Sequence, residues 1–490
     1  NLTDDRVFGL MSHYFLEEFF PEEAILNKEE YKDGLTVIYG TGATILADPD
    51  ILVYSDLSRW EIQQRYRKGM SNWKEENPNE DILKKYKRGY FFEWRVADRQ
   101  KNKIFSEIDF LLDTNKKDDP KMISGDDYRF GLSQVVKQPF RVVPYFDSSV
   151  WGGRWMKEKF GLDPEIDSYG WAFDGVPEEN SLYLRYGEVR VEVPSLNVIH
   201  QYPDQLLGAR VHSRFGKEFP IRFDYLDTMG GANLSLQVHP LTEYIQDKFG
   251  MHYTQDESYY ILDAKDDASV YLGVKNDTNL NELMEDLEKA QEGDCLFPDE
   301  KYINVFNAKK HDHFLIPAGT IHCGGANTVI LEISATPYIF TFKLWDWGRV
   351  GLDGKPRPVH LQHGRENIQI NRDADWVAEN LINRIETLYQ DEGKRAERTG
   401  LHELEYIETR RYWFKEKIEL ETMESVNMLN LVEGDEAVVE SLDGSFEPYK
   451  VHYGETFIIP EQIKKYSIRP VGAADKVKKH ALIQAFVRNL

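Results

Sequence analysis

The chain has 490 residues, is 41% hydrophobic and carries a net charge of −24, which describes an acidic multidomain protein with enough apolar content for several cores. That charge argues against a nucleic-acid surface, because a polyanion is repelled by most of the molecule. No apolar run nears the roughly 18 residues of a membrane helix, and two cysteines, Cys295 and Cys323, build no disulfide framework and suit a reducing, cytoplasmic setting. The opening at Asn1, without an initiator Met and on the polar Thr3-Asp4-Asp5-Arg6, is that expected of a chain whose preceding sequence is missing.

The first apolar, β-branched stretch, Leu35 to Tyr39, leads into Gly40-Thr41-Gly42 and a second strand is expected over Ile51 to Tyr54, so the N-terminal part, residues 1–138, reads as α/β. Ser58, three residues before Glu61, predicts a capped helix start. Between Arg59 and Lys103 bases accumulate, among them Arg65, Arg67, Lys68, Lys84, Lys85, Lys87, Arg88, Arg95 and Arg99. The pattern resembles the basic helices of small P-loop kinases, which would give this domain a nucleotide-related role. No G-x-x-x-x-G-K-[ST] cradle accompanies it, however, and a solvated basic face or an interdomain contact accounts for the same residues.

From about Pro139 the pattern turns to short strands, among them Val189 to Val193, Phe219 to Leu226, Leu234 to Val238, Tyr259 to Leu262 and Val329 to Ile333, as a barrel or sandwich requires. A helical segment is expected from Asp373 to Glu397, where Trp376, Leu381, Ile382, Ile385 and Leu388 recur at helical spacing. Strands return over the last 80 residues and close on Gly454 to Pro460, read as a second barrel repeating the first. The expected domains are therefore 1–138, 139–350, 351–410 (helical) and 411–490.

Within the first barrel, Gln237 and His239 stand two apart in Leu236-Gln237-Val238-His239 and so leave one face of a strand together. Glu257, 18 residues on, opens the strand Glu257 to Leu262, and His322 follows the turn Pro317-Ala318-Gly319-Thr320-Ile321. One amide, one carboxylate and two imidazoles make a metal-ligand set suited to Zn and compatible with Fe, Mn, Ni or Co. A single buried His is more often a hydrogen-bonded core residue; the argument is the combination. His311 and His313, also two apart, precede the turn and are expected on an exposed edge. Trp151 with Gly152-Gly153 reads either as core packing or as a substrate-side wall that the backbone can approach closely.

At these residues the chain resembles the type I mannose-6-phosphate isomerases, in their long bacterial form with an N-terminal extension. The resemblance rests on Trp151-Gly152-Gly153, Leu234-Ser235-Leu236-Gln237-Val238-His239-Pro240, the Pro317 to His322 turn and Leu331-Glu332-Ile333, and covers roughly residues 140 to 490. It implies a mixed fold, an α/β kinase-like domain followed by two cupin-type jelly-roll barrels with a helical segment between them. It also implies metal-dependent interconversion of mannose 6-phosphate and fructose 6-phosphate through a cis-enediol, with Glu332 as a proton-transfer candidate and Lys343, or Arg349, in the place of the family's Arg. Gln255 and Asp224 stand where relatives carry bases. The terminal barrel has Lys465 in the place of His322 and is expected to hold no metal. A sugar-phosphate ligand, no membrane partner and a compatible homodimer complete these expectations. A metal-bearing sugar sensor without turnover, or an isomerase of another sugar, is the alternative.

Overall fold

The structure, a computed structural model, describes residues 3–26, 34–350, 357, 359–471 and 479–489. The opening Asn1 and parts of the expected segments 351–410 and 411–490, namely 351–356, 358, 472–478 and 490, lie outside the described residues. The chain divides into two compact units, Asn1–Ser133 with Ser181–Gln201, and Gln134–Asn180 with Tyr202–Leu490. Among the described residues no helix is long and apolar enough to cross a membrane.

The first unit is α/β. Val53–Asp56 pairs in parallel with Phe110–Asp113, and Lys121–Ser124 adds an antiparallel third strand. A parallel pair needs a long crossover, supplied by the helices Arg59–Arg67, Ile82–Arg88 and Trp94–Ile104. The first of these starts where expected: the Ser58 hydroxyl accepts from the Glu61 backbone N–H at 3.3 Å. Leu35 to Tyr39 forms no strand, and Leu35 and Tyr39 are almost fully exposed. Several bases of the basic stretch are taken up within the unit. Lys85 Nζ donates to the carbonyls of Tyr66 and Pro78 at 3.0 and 3.2 Å, and Lys87 Nζ to that of Thr3 at 2.7 Å. Arg59 pairs with Asp98 at 2.6 Å and Lys101 with Asp56 at 3.2 Å. These bases are engaged within the unit, while Arg67, Lys68 and Lys84 are exposed.

The second unit holds four larger sheets. One runs, edge to edge, His313–Ile316, Glu257–Ala264, Thr328–Ala335, Ile221–Asp227, Trp171–Gly175, Tyr145–Asp147. A five-stranded sheet runs Ile303–Asn307, Ser269–Val274, His322–Gly324, Leu236–Val238, Phe342–Trp345. The C-terminal region repeats the theme with a six-stranded and a four-stranded sheet, whose facing residues, among them Leu429, Phe457, Val439 and Ile468, share one core.

The closed cupin barrels expected from the resemblance are not formed. Among the described residues each sheet runs from one edge strand to another, and no ladder joins its ends. Closure requires strand tilt and stagger that return the last strand to the first, whereas Tyr145–Asp147 ladders on one side only and the outer side of His313–Ile316 meets just a bridge from Phe314 to Ile382. The architecture is mixed α/β with open sheets. The expected helical segment also contracts. Asp373 caps the helix Ala374–Asn380 by accepting from the Trp376 N–H at 3.0 Å, and the chain then becomes two strands, Glu386–Asp391 and Lys394–Gly400.

Candidate metal centre

Three strands deliver the site. Leu236–Val238 carries Gln237 and leads directly to His239; its register sets Gln237 between His322 on one neighbour and Lys343 on the other. Glu257 opens its own strand in the facing sheet, opposite Ser334, which in turn lies opposite Arg222. The turn from Pro317 to Ile321 carries the chain from one sheet to the other and ends on His322.

The three side chains converge. Glu257 Oε1 is 2.7 Å from His322 Nε2 and its Oε2 is 3.1 Å from His239 Nε2, all three groups being essentially excluded from solvent. Their ligand atoms lie within 4.8 Å of one another, a cluster able to hold a divalent metal. Gln237 adjoins it, with Nε2 3.2 Å from His322 Nε2.

The outer contacts fix which nitrogen faces inward. His322 Nδ1 lies 2.9 Å from the Thr320 carbonyl and His239 Nδ1 3.4 Å from that of Phe340. A carbonyl only accepts, so each Nδ1 carries the proton and each Nε2 presents a lone pair. Two lone pairs and an anion aimed at one point repel unless a cation lies among them, and His239 Nε2 and Glu257 Oε1 have no hydrogen-bond partner. The residues present therefore fit a divalent ion.

Beside the triad lies a buried charged row. Glu332 Oε1 accepts from Arg222 Nη1 at 3.2 Å, from Ser334 Oγ at 3.0 Å and from Gln255 Nε2 at 3.4 Å. Arg222 also pairs with Asp224 at 3.4 Å, and its guanidinium lies over the rings of Tyr338 and Phe173. Burial, reinforced by Asp224, raises the Glu332 carboxyl well above its ordinary value, and burial raises Asp224 to about 6. Arg222 was missed by the sequence reading. Its signal is the alternation Arg222-Phe223-Asp224, which sends two polar side chains to the inner face of an otherwise apolar strand.

Other expected residues fall differently. Lys343 is half-buried beside Gln237, and burial lowers its ammonium to about 7. Arg349 is clamped to Asp346 at 2.8 Å and to the Asn233 carbonyl at 2.7 Å, and Arg357 holds the other Asp346 oxygen at 2.9 Å. Trp151 to Gly153 does not join the triad. Gly153 N–H bonds to Asp227 O at 2.7 Å, at the end of the Ile221–Asp227 strand opposite the end at which Glu257 is aligned, and Trp151 is buried edge-on against Trp171. His313 is fully buried rather than on an exposed edge, and neither it nor His311 enters the metal cluster.

Residues 1–137 match a family described as a domain of unknown function (DUF8485). The rest is similar to mannose-6-phosphate isomerases. ManA of Bacillus subtilis is 23% identical over 353 residues, 71% of this chain and 100% of that protein, and the Streptococcus mutans enzyme 22% identical over 339 residues, 68% and 95%. The crystal structure of mannose 6-phosphate isomerase from Bacillus subtilis superposes with a TM-score of 0.57 at 19% identity, covering 71% of this chain and 99% of that one. A point mutant of phosphomannose isomerase from Salmonella typhimurium gives 0.54 at 14% identity, covering 72% and 100%. At these identities the structural likeness is one of fold. The relatives point to a mannose-6-phosphate-isomerase-like group, and the closed cupin barrel that came with the sequence resemblance is corrected to open sheets.

Proposed function

We propose that the chain is a metal-dependent aldose–ketose isomerase that interconverts mannose 6-phosphate and fructose 6-phosphate. The observation that carries this reading is the convergence of His239, Glu257 and His322, with tautomers set for ligation, on a fold shared with enzymes that bear that name. Gln237 is the fourth ligand in this reading, and zinc is the ion the mixed nitrogen and oxygen set suits best.

A divalent ion bound there supplies Lewis acidity to the sugar oxygens. The chain's own residues do the rest. Glu332, whose carboxyl burial raises and which is held by Arg222, Ser334 and Gln255, is the base in this reading: as the carboxylate it takes the proton from one of the two sugar carbons, giving the cis-enediol, and as the acid so formed it returns that proton to the other carbon. Lys343 adds positive charge on the opposite side of Gln237 from His322, where it offsets developing negative charge. The close walls of Tyr338 and Phe173 around Arg222 exclude water from the row.

One observation favours a second reading, a metal-bearing sugar sensor without turnover: Arg222 is matched by Asp224 and Glu332, and Arg349 and Arg357 by Asp346. The His239→Ala variant separates the readings. Loss of bound zinc together with loss of mannose 6-phosphate turnover is expected of the isomerase. Wild-type turnover in that variant contradicts it, and a wild type that holds zinc but turns over no sugar phosphate, with zinc lost in the variant, leaves the sensor.

A further inference from the structure

We propose that Arg372 is a positioning residue for the metal cluster, clasping the turn on which all three ligand strands meet; the proposal rests on the metal reading above.

The turn from Pro317 to Ile321 passes between two sheets, so its backbone groups have no ladder partners and each needs another. They find them among the ligand strands. Gly319 N–H donates to the carbonyl of His239 at 2.9 Å, and Ala318 N–H to Oδ1 of Asp256, the neighbour of Glu257, at 2.8 Å. The Thr320 carbonyl accepts from His322 Nδ1 at 2.9 Å. One short turn therefore contacts a ligand strand at three successive residues.

Arg372 closes this arrangement from outside. Its Nη1 faces the carbonyls of Pro317 and Ala318 at 2.7 and 2.6 Å and Thr320 Oγ1 at 2.5 Å. The residue is 6% exposed, and it is itself fixed: its carbonyl accepts from Val274 N–H at 3.1 Å, its N–H bonds to Gln369 O at 3.1 Å, and its guanidinium lies over Trp376. A planar guanidinium locked by backbone and ring holds several oxygens at fixed angles, which a flexible ammonium does not. The path to the ligand is short. Arg372 grips Thr320 through Oγ1, and the peptide oxygen of Thr320 orients the His322 ring and selects its tautomer. None of these atoms touches substrate.

The test measures metal, not turnover. Apo protein is titrated with Zn²⁺ against a chromophoric chelator and with Co²⁺ by visible absorption, for wild type, Arg372→Ala, Arg372→Lys and Thr320→Val. Arg372→Ala is expected to weaken Zn²⁺ binding about 10–100-fold and to change the Co²⁺ band shape. Arg372→Lys is expected to recover part of the affinity, and Thr320→Val, which removes the Oγ1 contact with Arg372 and the Oγ1 bond to the Pro317 carbonyl, to fall between Arg372→Ala and wild type. Affinity within twofold of wild type and an unchanged Co²⁺ spectrum in Arg372→Ala overturn the proposal. If that variant does not fold, Thr320→Val decides by the same criterion. A wild type that binds neither ion overturns the metal reading itself, a result distinct from a wild type and variants that bind alike.

Discussion

Asp174 shows how burial and charge act on a single residue away from the metal cluster. Its carboxyl sits on the Trp171–Gly175 strand with one oxygen taking the Thr456 N–H at 3.2 Å and the other unpartnered, and burial pushes it up to about 8. A carboxyl raised in the folded state favours folding only while protonated, so its contribution is complete below the ordinary Asp value near 4 and is lost as pH rises towards 8. Asp174→Asn keeps the acceptor without the charge. Its melting temperature relative to wild type is expected to rise between pH 5 and pH 8, a gain of a few degrees at the upper end, by thermal denaturation at each pH; a constant difference contradicts the assignment. At this same scale the clustering of His239, Glu257 and His322 was legible. Gln237 and His239 share a strand face by period alone, and the turn before His322 is written in Pro317 and Gly319. Arg222 was missed although the alternation Arg222-Phe223-Asp224 marks it as inward-facing, because its acceptor Glu332 lies 110 residues away and local pattern does not show that pairing. Trp151 illustrates the converse: a large ring beside two glycines suits a ligand wall, yet Trp171 packs against the ring and the Asp227 carboxylate fills the space beside Gly153.

Among the elements, the turn before His322 is the most constrained. Gly319 has φ of +87°, and a Cβ there would come within 2.8 Å of Gln369 Cγ and Leu241 Cδ2 and 3.0 Å of the Asn367 carbonyl. Both the left-handed backbone and the contact exclude other residues. Gly319→Ala is expected to cost upwards of about 1 kcal/mol and to lower metal affinity with it, measured by chemical denaturation and zinc titration; a variant as stable and as tightly loaded as wild type removes the turn from the account. Elements whose character depends on distant partners were misread. Leu35 to Tyr39 has strand composition but no strand beside it, and composition without pairing does not make a ladder. The run from Asp373 has helical spacing, and the Asp373 cap was a sound start signal, but Glu386–Asp391 is exposed along its whole length. Such a strand lacks the alternation that distinguishes it from a helix. The C-terminal counterpart of the turn diverges in detail: Glu461–Ile463 makes a single tight helical turn and Lys465 points to Glu421 at 2.8 Å, which gives that region a surface ion pair where the first has a ligand.

For the whole molecule, the alternation of short strands and turns marked many of the strands but led to the wrong architecture, closed barrels in place of open sheets in a mixed α/β fold. It was not enough to decide closure. Whether the outermost strands of a sheet meet depends on register and twist accumulated over six strands, and those are set by pairings such as Glu332 with both Tyr259 and Asp224 that no local pattern records. The opening of the sheets does not disturb the site, because its ligands come from inner strands, Glu257–Ala264, His322–Gly324 and Leu236–Val238, each flanked by a neighbour on both sides. The site thus combines a rigid scaffold with a charge arrangement suited to one divalent ion. The most direct measurement is a coupled assay of mannose 6-phosphate conversion to fructose 6-phosphate on the wild-type chain as purified, after chelation, and after zinc is returned. The account predicts turnover that disappears with the metal and comes back with it; turnover that persists unchanged in fully chelated protein, or its absence from protein carrying one zinc per chain, would contradict it.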